Sequence, residues 1–155
     1  MNDHCQDTPN VIPPPIIFGC ALLIALVAGW LWPIPMLPAP ARYWIGGIVI
    51  ALSFILVAVV LREFATAKTS FSSHSPTLAL ITSGPFRYSR NPAYVSLSML
   101  YFGIGIVVGS IWVLGLGIAA VLVTHHAVIL REEAYLERKF GDRYRAYKAE
   151  VRRWI

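Results

Sequence analysis

Three stretches of the chain carry no charged side chain: Thr8 to Ala41, Tyr43 to Leu61 and Asn91 to Leu130. Each is long enough for one or two spans of roughly 20 apolar residues. The pattern predicts an all-α, polytopic membrane protein: one membrane domain with four transmembrane helices at about 16–32, 43–61, 93–109 and 111–130. One helix over the whole third stretch would far overshoot a hydrocarbon core of about 30 Å, so the chain must turn once inside it. Gly109-Ser110 is the expected hairpin.

The first apolar run follows an acidic leader, MNDHCQDTPN, and lacks a clean small-residue cleavage motif, so a retained helix is expected rather than a signal peptide. Pro33, Pro35, Pro38 and Pro40 are expected to close it and make 33–42 a short connection. The arms of the last hairpin are rich in Gly, Ala and Ser, which let helix backbones approach closely, and Gly105 and Gly109 form a GxxxG. Gly103-Ile-Gly105 has no preceding strand or βαβ unit, so helix packing is expected of these glycines rather than nucleotide binding. Beyond Leu130, Tyr135, Leu136, Phe140, Tyr144, Tyr147 and Val151 recur at spacings of three and four among charges. That tail is expected to be helical with a break near Gly141, lying against the bilayer or folding back on the loop.

Composition and charge add a class and an orientation. The chain has 155 residues, 57% of them hydrophobic, and a mean hydropathy of +0.63, above the range of soluble domains. The net charge of +5 is uneven. Residues 62–92 hold Arg62, Lys68, Arg87 and Arg90 against Glu63, while the 33–42 connection holds only Arg42. The positive-inside rule makes 62–92 cytoplasmic, and two further helices return the tail 131–155, with eight basic and five acidic residues, to the same side. Both termini are then cytoplasmic. Membrane lipids are the expected partners, with anionic headgroups at the basic segments, and nucleic acid is not needed to explain the charge. Cys5 and Cys20 suggest free thiols, and the adjacent His125 and His126 point about 100° apart on a helix, so no metal set is expected. His74, in TSFSSHSP, could be a base, but a polar loop histidine more often has no special role.

Two polar segments bracket the last hairpin: GPFRYSRNPAY, Gly84 to Tyr94, before it and Arg131-Glu132-Glu133 after it. A hairpin returns the chain to the same face, so its two ends are neighbours. Arg87 and Arg90 offer planar forks for carboxylate or phosphate. Phe86, Tyr88 and Tyr94 offer flat faces for a base or sulfonium. Asn91 precedes Pro92, which suits a first helical turn open to a ligand. Tyr and Arg at a helix boundary also fit an aromatic belt with snorkelling cations. Arg131, Arg138, Arg143, Arg145 and Lys148 fit interfacial charge. Glu132 has Leu136 four residues on and Glu133 has Glu137, so local ion pairing explains neither.

ITSGPFRYSRNPAY followed one hairpin later by REEAYLERKFGDRYRAYKAEVRRWI resembles the isoprenylcysteine carboxyl methyltransferase and phospholipid methyltransferase superfamily over about residues 62–155. The resemblance implies a membrane methyltransferase using S-adenosylmethionine without a soluble Rossmann domain, in a bacterial-type inner membrane. By position it implies cofactor contacts at Leu80, Ile81, Phe86, Asn91, Pro92, Tyr94 and Glu132. Arg87, Tyr88 and Arg90 belong to the same motif, and Tyr144 and Tyr147 match the FGxxYxxY tail. Enzymes acting on isoprenylcysteine usually show RHP where this chain has Arg90-Asn91-Pro92, and carry an arginine where it has Val128, so a prenylcysteine carboxylate is not the acceptor implied.

In-line methyl transfer to a lipophilic or small carboxylate, thiol or amine, reached from the bilayer, is the expected chemistry. Arg90 would hold a carboxylate, and His125, His126 or Glu133 would take the proton of an amine. Two other readings stand beside it: a non-catalytic membrane protein whose loop and tail bind anionic lipid or a partner, and, through the resemblance, a related membrane enzyme of another class such as an isomerase-like relative, which heme- or retinal-like absorbance would favour.

Overall fold

Prolines set the start of both N-terminal helices. Helix α1, Pro14–Leu31, has proline in its first turn, where the missing N–H would have had no partner. Helix α2, Ala39–Thr66, begins the same way with Pro40, earlier than the expected connection allows. It also runs past Leu61 through Arg62 and Glu63, and 28 residues at 1.5 Å each span about 42 Å, beyond a hydrocarbon core of about 30 Å. A 3-10 turn follows at Gly84–Arg87, then α3, Pro92–Val108, and α4, Ile111–Thr124. A π-helical turn, His125–Ile129, joins α4 to α5, Leu130–Phe140. After Gly141 comes α6, Asp142–Glu150. These elements belong to a computed structural model that describes residues 12–36, 38–67 and 80–155. Cys5, His74, Lys68 and most of the connection after α2 lie outside them.

The fold among the described residues is all-helical apart from one isolated antiparallel bridge, Pro35 with Ser110. Three helical stretches are long and apolar enough to cross a membrane: Pro14–Leu31, Ala39–Thr66 and the continuous rod Ile111–Phe140. The shorter apolar α3 lies between them. α2 packs along α3, α3 and α4 form the hairpin, and α1 lies along α4. Phe18 and Ala25 of α1, Tyr101 of α3, and Val113 and Ala120 of α4 make the buried centre, with Phe18 edge-on to Tyr101 at 5.5 Å. Because lipid tails are as apolar as these side chains, close contact and polar pairing must hold the helices together. Ser53 of α2 donates a buried hydrogen bond of 2.8 Å to the Ser96 carbonyl of α3.

The glycines of the hairpin have separate roles. A Cβ at Gly103 would stand 2.8 Å from Ile50 Cγ1 and 3.1 Å from the Ile50 amide nitrogen, so this glycine sets the α2–α3 approach. A Cβ at Gly105 would stand 2.7 Å from Val113 of α4. Gly109 makes the turn at φ +72, a backbone conformation that other residues rarely adopt. Around it Met36 N–H donates to the Gly109 carbonyl at 3.2 Å and Trp112 Nε1 to the Trp32 carbonyl at 2.8 Å. These contacts gather the α1–α2 connection and the hairpin tip at one end of the bundle. The polar segments gather at the other.

Gly103→Val is expected to cost about 1–3 kcal/mol by overpacking the α2–α3 contact. Gly115→Ala, where a Cβ meets nothing within 4 Å, is expected to be neutral or to gain up to about 1 kcal/mol. Thermal unfolding of both variants in detergent checks the contrast.

Candidate active site

The entrance and exit of the α3–α4 hairpin meet through one phenol. Tyr94, in the first turn of α3, lies with its hydroxyl 2.8 Å from both carboxylate oxygens of Glu132, in the first turn of α5. Both side chains are half-buried. Asn91 ends the preceding turn with φ −130 and makes no side-chain cap to the helix; its amide Nδ2 donates to the Arg153 carbonyl at 3.0 Å. Pro92 is fully buried at the first helical position, where its fixed φ suits the turn. Among the expected cofactor contacts, the structure therefore brings Asn91, Pro92, Tyr94 and Glu132 to one place.

Beside them lies a buried charge cluster. Glu133 is 5% exposed, and its Oε1 stands 3.1 Å from Arg90 Nη1. Arg153 grips the same carboxylate with two parallel bonds, Nε to Oε1 and Nη2 to Oε2, each 2.9 Å. Such a fork is the strong geometry for a guanidinium and a carboxylate. Hydrogen bonding to Glu133 raises Arg153 further above the ordinary arginine range. With both oxygens taken by guanidinium donors, Glu133 has the geometry of an anchor rather than of a proton acceptor. The Arg90 Nε is buried with no hydrogen-bond acceptor.

Sequence reasoning missed Arg153 as a site residue, although folding of the tail back on the loop was one of its two expectations. The helical period suggests that the tail stays helical to its end, but Val151 turns extended at φ −114, ψ 134. The chain then crosses the Ser89–Asn91 turn as a strap. Arg90 N–H donates to the Arg152 carbonyl at 2.9 Å, and the Ser89 hydroxyl approaches the Arg153 carbonyl at 3.4 Å. Trp154 Nε1 donates to His125 Nδ1 at 3.2 Å and stacks on that imidazole. One signal for the strap was present: Arg90 and Glu133 are unmatched charges at the ends of apolar helices, and two further arginines stand at the end of the aromatic tail.

Beneath the cluster sits an aromatic layer. Tyr147 donates to the Phe86 carbonyl at 2.7 Å, and the Phe86 ring packs edge-on against Phe64 of α2 at 5.8 Å. Tyr144 is 1% exposed. Burial, with Glu133 adding to it, pushes the Tyr144 hydroxyl up to about 12, and the charge and hydrogen bond of Arg90 offset this only in part. Burial first, then Tyr144, raises Tyr147 as well. Phe64, Phe86, Tyr144 and Tyr147 thus form one aromatic layer against the cluster.

The remaining candidates fall elsewhere. Leu80 and Ile81 are half-buried before the 3-10 turn. Arg87 and Tyr88 are exposed and line a groove against α2. His126 is exposed, and its Nδ1 lies 2.9 Å from the Leu122 carbonyl of its own helix, while His125 faces the strap.

A helical membrane protein with a polar site at one end, built from a motif before a hairpin and a second motif after it, is the class defined so far. The sequence matches the phospholipid methyltransferase family over residues 41–143, about two thirds of the chain, and the protein belongs to that family of membrane methyltransferases. It is also similar to an uncharacterized protein of Haemophilus influenzae, 50% identical over 52 residues, covering 28% of this chain and 82% of the relative. No solved structure matches it.

Glu133→Gln is expected to cost about 3–5 kcal/mol, since it leaves Arg90 buried beside a neutral amide; chemical unfolding in mixed micelles measures this. A second prediction concerns alkaline pH. Tyr144 and Tyr147 ionise later in the folded chain than the ordinary value of about 10, so above that pH the unfolded chain releases protons first and stability falls toward pH 12. Melting curves taken from pH 9 upward should decline, and Tyr144→Phe should flatten the decline.

Proposed function

We propose that the protein is an S-adenosylmethionine-dependent methyltransferase whose cofactor binds between the start of α3 and the start of α5, at the cytoplasmic face of a bacterial-type inner membrane. The observation that carries this reading is the Tyr94–Glu132 contact, which joins the two motif halves at a half-buried position in a chain of the phospholipid methyltransferase family. The donor chemistry fits the cofactor. Glu132 is a carboxylate suited to hydroxyl groups, Tyr94 adds an aromatic face, Asn91 an amide, and Arg90 a buried Nε that lacks an acceptor, as a ligand carboxylate would supply. When bound, S-adenosylmethionine supplies an electrophilic methyl on a sulfonium.

The residues of this chain then bind, orient and exclude water. Tyr94 fixes both oxygens of Glu132, so its carboxylate is held in one orientation before any ligand arrives, which lowers the ordering cost of binding. The strap closes the side of the Asn91 turn, and the aromatic layer closes the floor, so that transfer takes place out of water. A carboxylate or thiolate acceptor needs no base. The acceptor enters from the bilayer between apolar helices, and positioning contributes most of the rate. Positive-inside charge supports the cytoplasmic assignment of this face.

Calorimetry of S-adenosylhomocysteine with detergent-purified protein tests the proposal. Micromolar binding is expected, with Glu132→Ala and Asn91→Ala each weakening it at least about tenfold, the loss of one hydrogen bond to a charged group. No binding by folded protein in detergent and in nanodiscs would overturn the reading.

A further inference from the structure

Arg87 and Tyr88 belong to the motif yet stand outside the site. The 3-10 turn that carries them overhangs the outer face of α2 and encloses with it an open groove of about 480 Å³. Along the groove run Leu52, Ile55, Leu56 and Val59, a single helical stripe by spacing. At its other end lie Pro85, Arg87 and Tyr88. The overhang is fixed. Gly84 holds φ +55, and a Cβ there would meet the Glu63 carboxylate carbon at 2.8 Å. Ser83 donates a hydrogen bond to the Glu63 carboxylate, and Phe86 is locked on Phe64.

The apolar stripe lies on a helix long and apolar enough to span a membrane, and only 17% of its most apolar 18-residue window is buried in the protein. Ile55 is 60% exposed and Tyr88 77%. Hydrocarbon is the solvent of that face, so the stripe takes an acyl chain. The charge at the groove's end selects among lipids. Among the described residues Arg90 and Arg153 pair with Glu133, Arg145 with Asp142 and Lys148 with Glu137. Arg87 has no such carboxylate among the described residues. A guanidinium at the membrane interface donates to phosphate oxygens through its planar fork, and a tyrosine beside it is at home at headgroup depth. One molecule supplies both complements.

We propose that this groove binds an anionic phospholipid, its phosphate on Arg87 beside Tyr88 and one acyl chain along Leu52, Ile55 and Val59. The inference is independent of the proposed methyl transfer, because none of these residues touches Asn91, Tyr94 or Glu132 in the contacts described above.

Native mass spectrometry of the full chain tests it, with phosphatidylglycerol and phosphatidylcholine of identical acyl chains added at equal concentration. The wild type should retain phosphatidylglycerol preferentially. Arg87→Gln should cut that retention about tenfold, the loss expected for a charged hydrogen bond, and leave phosphatidylcholine unchanged. Ile55→Trp, which fills the apolar half, should reduce retention of the lipid while Arg138→Gln, an exposed cation elsewhere on this face, should not. Equal retention of the two lipids by wild type, or wild-type retention by Arg87→Gln, would overturn the proposal. So would displacement of the lipid by inorganic phosphate alone, which would mean an anion site without the groove. Circular dichroism of each variant guards against a loss caused by misfolding.

Discussion

A carboxylate at the end of an apolar rod, Glu133, is buried where two guanidiniums reach it, Arg90 from the turn before α3 and Arg153 from beyond α6. Removing ions from water costs several kcal/mol each, and mutual attraction offsets this only when geometry and hydrogen bonding are good. The parallel fork of Arg153 supplies that geometry. Three segments distant in sequence are thereby tied at one point: the Asn91 turn, the start of α5 and the C-terminal strap. Placement of Tyr94 against Glu132 follows from this tie, since Glu132 is the neighbour of the anchored residue and Tyr94 lies in the first turn of the helix that begins two residues after Arg90.

Local backbone geometry makes the tie reachable. Adjacent helical residues point about 100° apart, so Glu132 and Glu133 address different partners from one turn of α5. The π turn His125–Ile129 inserts an extra residue per turn just before them and resets the phase of the helix. It also turns His125 toward Trp154, which holds the strap down. Gly109 at the far end returns the chain, and Gly103 sets how closely α2 lies beside α3. The groove under Arg87 is a by-product of the same arrangement: with Phe86 pinned to Phe64 and Tyr147, the next two side chains are left exposed.

Long charge-free runs made the helices legible, because a run of about 20 apolar residues in hydrocarbon satisfies its backbone hydrogen bonds within itself only as a helix. The need for a hairpin followed from length and its place from Gly109-Ser110, and the meeting of the two motif halves followed from the hairpin. Helix ends were less legible. Pro40 reads as a breaker in a run of prolines, but it is tolerated in a first turn, so α2 starts inside the expected connection. The direction of Arg87 and Tyr88 was hidden because a 3-10 turn, with a different rotation per residue, carries them away from Asn91. Hidden too was the strap: the spacing of Tyr144, Tyr147 and Val151 continues a helical period, and nothing local shows that Arg153 is better placed outside it. Only the unmatched charges of Arg90 and Glu133 hinted at a third partner.

The central claim is that the tail and the hairpin form one unit through the Arg153–Glu133 fork. A double-mutant cycle tests it most directly, with unfolding free energies measured for the full chain, Arg153→Gln, Glu133→Gln and the pair in the same micelles. The account predicts an interaction energy of at least about 1 kcal/mol, within the range for residues that share one ion-pair network. Single effects that add to within about 0.5 kcal/mol would mean that the strap and the hairpin are energetically independent, and would contradict it.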